Sequence, residues 1–308
     1  MLLMGPSYYC GVVLMLLTFL SSGCSVRSIA VDMTASIMNE GAKAFEEESD
    51  LEFAEQSIGG NLKVLEALLK NSPRHPSLLI QLAKSYGGYA FAFIEDKYEA
   101  YKFKNPELAE YHKKRAGQFY LRGKEFALRY LKEKNADFES ALEKDFETFE
   151  KVLQDFDEDE VEGLFWAAYN WGNWVNMNLH EPDAIAAAPR VESMMKRVLV
   201  LNEKFYFAGP HLFYGVYYGG RPPMLGGDKS KSKVHFNKAL AFSERKLLIT
   251  QVLYAQYYAV QMQDQILFRK LLQEVIQADD FIFPEQNLIT QVAKRKAKRL
   301  LARQKDLF

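Results

Sequence analysis

One spacing, large–x–x–large–small–x–x–aromatic, recurs four times along this chain and limits what it can become. Leu79, Leu82, Ala83 and Tyr86 fit it, and so do Leu164, Ala167, Ala168 and Trp171. His211, Tyr214, Gly215 and Tyr218 make a third fit; Gln251, Tyr254, Ala255 and Tyr258 make a looser fourth. Residues three and four apart share one face of a helix, so each set is a row of knobs for a partner helix. A helix with such a row cannot bury it alone, and a series of them must pair and stack. Second helices are expected around Leu65 and Leu68, Phe236 and Ala239, and Leu271, with Pro73 punctuating the first junction. Strand signals are nearly absent.

The spacing therefore predicts an all-α fold, a tetratricopeptide-like helical-repeat superhelix. It also locates insertions. The interval from Ala83 to Ala116 is about twenty residues too long for such a repeat, with a turn expected at KNPE, 104–107. The interval from Gly215 to Ser232 is about five too long, and the excess is RPPMLGGD, 221–228. In this register the groove enclosed by the first helices is lined by Ile80 and Lys84, Phe165 and Tyr169, Leu212 and Val216, and Val252 and Gln256. Small residues follow the repeat aromatics: Gly87, Gly172, Gly219 and Ala259. These either let helices approach closely or keep a channel open, narrowest at Gly172. Only Lys84 among the groove residues is charged, so the surface suits a small apolar ligand better than a peptide carboxylate. A tightly closed superhelix would instead make these residues plain core.

The RPPMLGGD loop is not a phosphate loop, because no Gly-Lys-Ser/Thr follows and no strand precedes it. Pro222 and Pro223 restrict its backbone, Gly226 and Gly227 permit positive φ, and Asp228 is expected to cap the next helix. The loop is expected to aim Arg221 at an anionic group on a ligand or partner. DFDEDEVEG, 155–163, has calcium-loop spacing at first, but Glu160 and Trp166 stand where Gly and Glu are needed. Asp157 with Glu160 reads instead as a capping box. The five histidines show no metal-binding pattern, and the basic tail KRKAKRLLARQK reads as a terminal amphipathic helix built on Ala293, Ala297, Leu300 and Leu301. No catalytic residues, cofactor loop or metal site emerges.

Composition narrows the setting. Of 308 residues 48% are hydrophobic, enough for a sizeable core, and a net charge of −1 gives no reason to expect nucleic acid as a partner. Residues 10–20, CGVVLMLLTFL, form a short apolar run of signal-peptide type, and LSSGC follows. The small residues before Cys24 resemble a lipobox, although Ser21 holds the usual Leu position and no cation precedes the run. The expected organisation is a lipoprotein signal peptide over 1–23, a linker and first helix over 24–59, and a repeat domain over 60–308. Cys24 is the expected lipidation site; a plain signal peptide or N-terminal anchor is the alternative. Cys10 is the only other cysteine, so thiol chemistry in the mature chain is excluded. Ser25 lacks the acidity of an inner-membrane retention signal, which favours an outer-membrane address.

FYGVYYGGRPPMLGGDKSKSKVHFNKAL, LYAQYYAVQMQDQILFRKLLQEVIQA, PEQNLITQVAKRKAKRLL and GLFWAAYNWGNWV resemble the T-component of TRAP transporters, the TatT family. The resemblance covers roughly residues 60–302. It implies a periplasmic lipoprotein without enzymatic activity and without a cofactor, assembled as a homo-trimer. The implied partner is the P-component, the solute-binding protein of a tripartite ATP-independent periplasmic transporter. It also implies passage of a small apolar or organic-acid ligand through a pore in the protomer. A repeat adaptor for envelope assembly and a periplasmic enzyme with dispersed catalytic groups are the competing readings.

Overall fold

Short polar side chains start several of the helices. Asp50, Asn105, Asp145, Asp228 and Asp264 each accept hydrogen bonds from backbone N–H groups in the first turn of the helix that follows. Asp157 and Glu160 form the reciprocal capping box that their spacing predicts. A computed structural model describes residues 29–308, and every regular element in it is helical. The helices are α1 (29–46), α2 (Leu51–Asn71), α3 (Pro76–Tyr89), α4 (Glu95–Tyr101) and α5 (Pro106–Lys134). Next come α6 (Ala136–Glu143), α7 (Phe146–Leu153), α8 (Val161–Met177), α9 (Pro182–Leu201) and α10 (Phe205–Gly219). The last are α11 (Lys229–Phe242), α12 (Ile249–Tyr254), α13 (Gln265–Gln277), α14 (Asn287–Ala302) and α15 (Gln304–Leu307). The Cys24 and Cys10 region lies outside the described residues.

The four knob rows are buried. Leu79, Leu82, Ala83 and Tyr86 on α3 keep 1% exposure or less, and Leu164, Ala167 and Ala168 on α8 keep none. Each row helix packs on its successor: α3 on α5, α8 on α9, α10 on α11, and the segment continuing α12 on α13. The long interval after α3 holds α4, and the KNPE turn ends with Asn105 capping α5 ahead of Pro106. The sequence-based boundary at 59/60 falls inside α2, whose Ala54, Ile58, Leu62 and Leu65 all enter one core cluster.

Three local features depart from plain helix. Ala90–Ile94 and Ala255–Ala259 are single π-helical turns, each carrying on from a row helix. Such turns add a residue and gather at functional sites. Tyr206, Phe207 and Ala208 lie consecutively in the left-handed region, just before Pro210. Each costs about 1–2 kcal/mol for a residue with a Cβ. Aromatic contacts offset it: the Tyr206 ring is 4.9 Å from Trp166, and Phe207 is 5.1 Å from Phe283.

The C-terminal helix returns to the start of the array. Gln286 Nε2 donates to Glu46 Oε2 at 2.8 Å across 240 residues of sequence. Arg295 Nη2 donates to the Ala92 carbonyl at 2.7 Å, and Arg299 Nη2 to Asp96 Oδ1 at 2.7 Å. Arg295, Lys296 and Arg299 of the basic tail thus face inward. Lys296 is 1% exposed and reaches Glu99 Oε2 at 2.8 Å.

Candidate ligand cavity

Closing the array in this way shapes a cavity of about 640 Å3. Its wall is assembled from α1, α2, α3, α8, α10, α12 and α14 and both π turns, with single residues from α4 (Glu95) and α5 (Tyr130). Ile80, Lys84, Phe165, Tyr169, Gly172, Leu212 and Val216 stand on that wall, where the repeat register puts them. Gly87, Gly219, Val252 and Gln256 do not. A Cβ on Gly87 would lie 3.0 Å from the Tyr169 ring, and one on Gly219 would lie 2.6 Å from the Tyr257 carbonyl oxygen. Both glycines serve close helix approach. Gly172 does so as well, since its Cβ would meet Phe213 at 2.8 Å and Val191 at 3.2 Å.

The fourth row is displaced. Leu253 and Tyr257 face the cavity, while Val252 is fully buried in the second core cluster and Gln256 Nε2 turns to Glu99 Oε1 at 3.5 Å. The wall positions of this weakest fit fall one residue later than expected, at Leu253 in α12 and Tyr257 in the π turn. Other wall residues have no sequence signal: Phe45 and Glu46 of α1, Trp166, Tyr206, Leu288, Ile289 and Glu95. They converge only because α1 and α14 close the array.

The charged groups of the wall are Lys43, Glu46, Lys84, Glu95 and Glu162. Lys84 pairs with Glu46 and lies over the Tyr206 ring at 5.3 Å. Burial raises the pKa of Glu162, with Lys84 opposing. Burial also pushes Glu95 up to about 7; Lys296 opposes, Glu99 and Asp96 add to the rise, and the hydroxyl of Tyr120, which donates to Glu95 Oε2, lowers it. Tyr169, Tyr206 and Tyr257 are all held well above the usual phenol range by burial, reinforced by nearby glutamates.

The inserted loop folds back on α10. Gly227 N donates to the Pro222 carbonyl at 3.1 Å and Asp228 N to the Tyr218 carbonyl at 3.0 Å; Gly226 takes φ +85°. Pro222, Pro223 and Met224 are exposed at its tip. Arg221, expected to project toward an anion, is only 3% exposed. Its guanidinium sits 3.8 Å from the centre of the Tyr217 ring, and Nη2 donates to Asn176 Oδ1 at 3.2 Å. Asn176 stands on the cavity wall, so Arg221 meets the cavity only through that amide.

Two histidines far apart in sequence come together. His211 Nδ1 lies 2.8 Å from His235 Nδ1, and His211 Nε2 lies 3.1 Å from Glu203 Oε2. Burial first, and then His211, lower His235 to about 4. Among the described residues no group of three or more His, Cys, Asp or Glu side chains is arranged to hold a metal ion. No described helix is long and apolar enough to cross a membrane.

Comparison with known proteins places this geometry in context. The family described as TRAP transporter T-component matches residues 47–308. An uncharacterized protein of Treponema pallidum (strain Nichols) is 24% identical over 307 residues, covering 94% of each chain.

Proposed function

The chain belongs to the TRAP transporter T-component family, and from that membership we propose that it is the accessory component of a tripartite ATP-independent periplasmic transporter. In this role it binds the P-component, the solute-binding protein, and holds or passes a small apolar or organic-acid ligand through the cavity. The helix pairs α3/α5, α8/α9 and α10/α11 are read as tetratricopeptide-like repeats, and protomers associate as trimers. Cys24 carries the lipid that keeps the mature chain at a membrane, the outer one by the argument from Ser25.

The observation that carries the reading is the largely apolar cavity of about 640 Å3 in a chain of this family, a volume typical of small-molecule sites.

The test is capture of a partner. Tagged full-length protein, purified from native membranes after mild crosslinking, should bring down a solute-binding protein identifiable by mass spectrometry. Recovery of envelope-assembly factors instead would support the adaptor reading and overturn this one. Mass spectrometry of the mature N-terminus should find acyl chains on Cys24; an unmodified cysteine would overturn the anchoring.

A further inference from the structure

The cavity has a rim and a depth of different chemistry. At the rim, the side chains of Lys84 and Glu46 keep 33% and 24% exposure and neutralise one another. Deeper in, Glu95 is 8% exposed and stands at the exit of the first π turn, and Tyr257 lies within the second. Tyr169 of α8 joins them, and the charge of Glu95 acts on both tyrosines. Among the described residues neither the Tyr169 hydroxyl nor that of Tyr257 has a hydrogen-bond partner, although both residues stand on the wall. Glu95 uses one oxygen to accept from Tyr120, and its other oxygen has no partner among the described residues.

The groups around Glu95 decide what this pocket of polar atoms can take. Asp96 and Glu99 on α4 flank it; Tyr120 meets it from α5, Tyr169 from α8, Tyr257 from the second π turn and Lys296 from α14. Arg295 and Arg299 complete the cluster through Asp96. Three carboxylates thus face three cations. A ligand ammonium finds no surplus negative charge there. Beside Glu95 a ligand carboxylate finds no free cation, because Lys296 is committed to Glu99 and Asp96, Lys84 to Glu46, and Arg221 lies behind Asn176, while Lys43 of the wall is exposed on α1. Either ion would give up its hydration without a partner, which is costly in a buried site. A neutral hydroxyl, amide or un-ionised carboxyl can instead use the two tyrosine hydroxyls and the open Glu95 oxygen.

We propose that Glu95, Tyr169 and Tyr257 form the polar end of the cavity and receive the uncharged hydrogen-bonding head of an otherwise apolar molecule. An organic acid then enters with its proton, one proton being shared between its carboxyl and that of Glu95, as paired carboxyls do when they cannot both ionise. This rests on the cavity being the ligand site of the proposed transport function.

Three probes of equal chain length separate the outcomes: decanol, decanoate and decyltrimethylammonium, each displacing the neutral dye N-phenyl-1-naphthylamine from the full-length protein. At about pH 8, decanol should bind at least about ten-fold more tightly than either ion. Decanoate should gain about ten-fold on acidification to about pH 5.5, while decanol changes little. That gain follows the protonation of Glu95, so Glu95→Gln, whose amide stands in for the protonated carboxyl, should flatten it. Tyr169→Phe and Tyr257→Phe, which remove one hydroxyl each, should weaken decanol several-fold with melting temperature held. Tightest binding of the ammonium, equal binding of decanoate at about pH 8, or no displacement by any probe would overturn the proposal. Partner capture is scored separately on the wild-type chain: capture with the wrong probe order overturns only the head-group assignment, and loss of capture overturns the transport reading.

Discussion

Asn170 illustrates how single glycines are set by what presses on them. Its Nδ2 donates to the Ala83 carbonyl at 3.0 Å and the Trp166 carbonyl at 2.8 Å, which fixes the amide between α3, α5 and α8. A Cβ on Gly123 would lie 2.7 Å from its Cγ and 2.9 Å from its Nδ2. Gly123→Ala should therefore lower stability by about 1–3 kcal/mol in a thermal melt. Gly60 in α2 has nothing within 4 Å, so Gly60→Ala should gain up to about 1 kcal/mol. At Gly172, Leu should clash with Phe213 and destabilise the fold rather than plug a passage. Two titrating residues give a second test at this scale. Glu95 binds its proton more tightly folded than unfolded, so its contribution is full below about pH 4.5 and is lost as pH rises through about 7. His235 behaves oppositely: its contribution is present above about pH 6.5 and is lost as pH falls through about 4. Melting curves from pH 5 to 8 should show Glu95→Gln gaining on wild type as pH rises, and His235→Gln gaining as it falls. Parallel curves would show that neither group is perturbed.

At the scale of elements, α14 is the piece whose role changes most between sequence and structure. As a stretch of residues it is a basic amphipathic helix. In the fold, one side supplies Ala293 and Ala297 to the core and another supplies Lys296 and Arg299 to the carboxylates of α4. Lys296→Ala leaves Glu99 and Asp96 short of a buried cation and should cost about 3–5 kcal/mol, read by urea unfolding. Lys298, two residues on, is exposed, and Lys298→Ala should stay within about 0.5 kcal/mol. Equal effects would mean that the inward pairs contribute nothing beyond surface charge. The inserted loop shows the same contrast. Its turn chemistry, with Gly226 at positive φ and Asp228 as cap, follows from residue type, but the burial of Arg221 on Tyr217 depends on α8 presenting Asn176.

For the whole molecule the question is whether the array has free ends. In an open solenoid each repeat touches only its neighbours, and removing the last leaves the others folded. Here α14 contacts α2, and its side chains pair with α4. Deleting residues 287–308 should therefore raise hydrogen exchange in α4 and α2 as well as in α13, and abolish dye binding in the cavity. Exchange changes confined to α12 and α13 would show an open array instead.

Residue spacing by itself determined the helix pairs, their caps and the inserted loop, because those depend on neighbours three or four residues away along one helix. It also named seven of the wall positions, from Ile80 to Val216, since repeats in register present equivalent residues to one side. The fourth row slipped by one residue, already at Leu253 ahead of the π turn, because its loose fit fixed the face of α12 too weakly. The left-handed run at Tyr206–Ala208, the His211–His235 pair and the charge cluster around Glu95 had to wait for the tertiary structure. The histidine pair joins α10 to α11 and the charge cluster joins α4 to α14, groups with no local reason to meet, and the left-handed run is held by the rings of Trp166 and Phe283 from other elements.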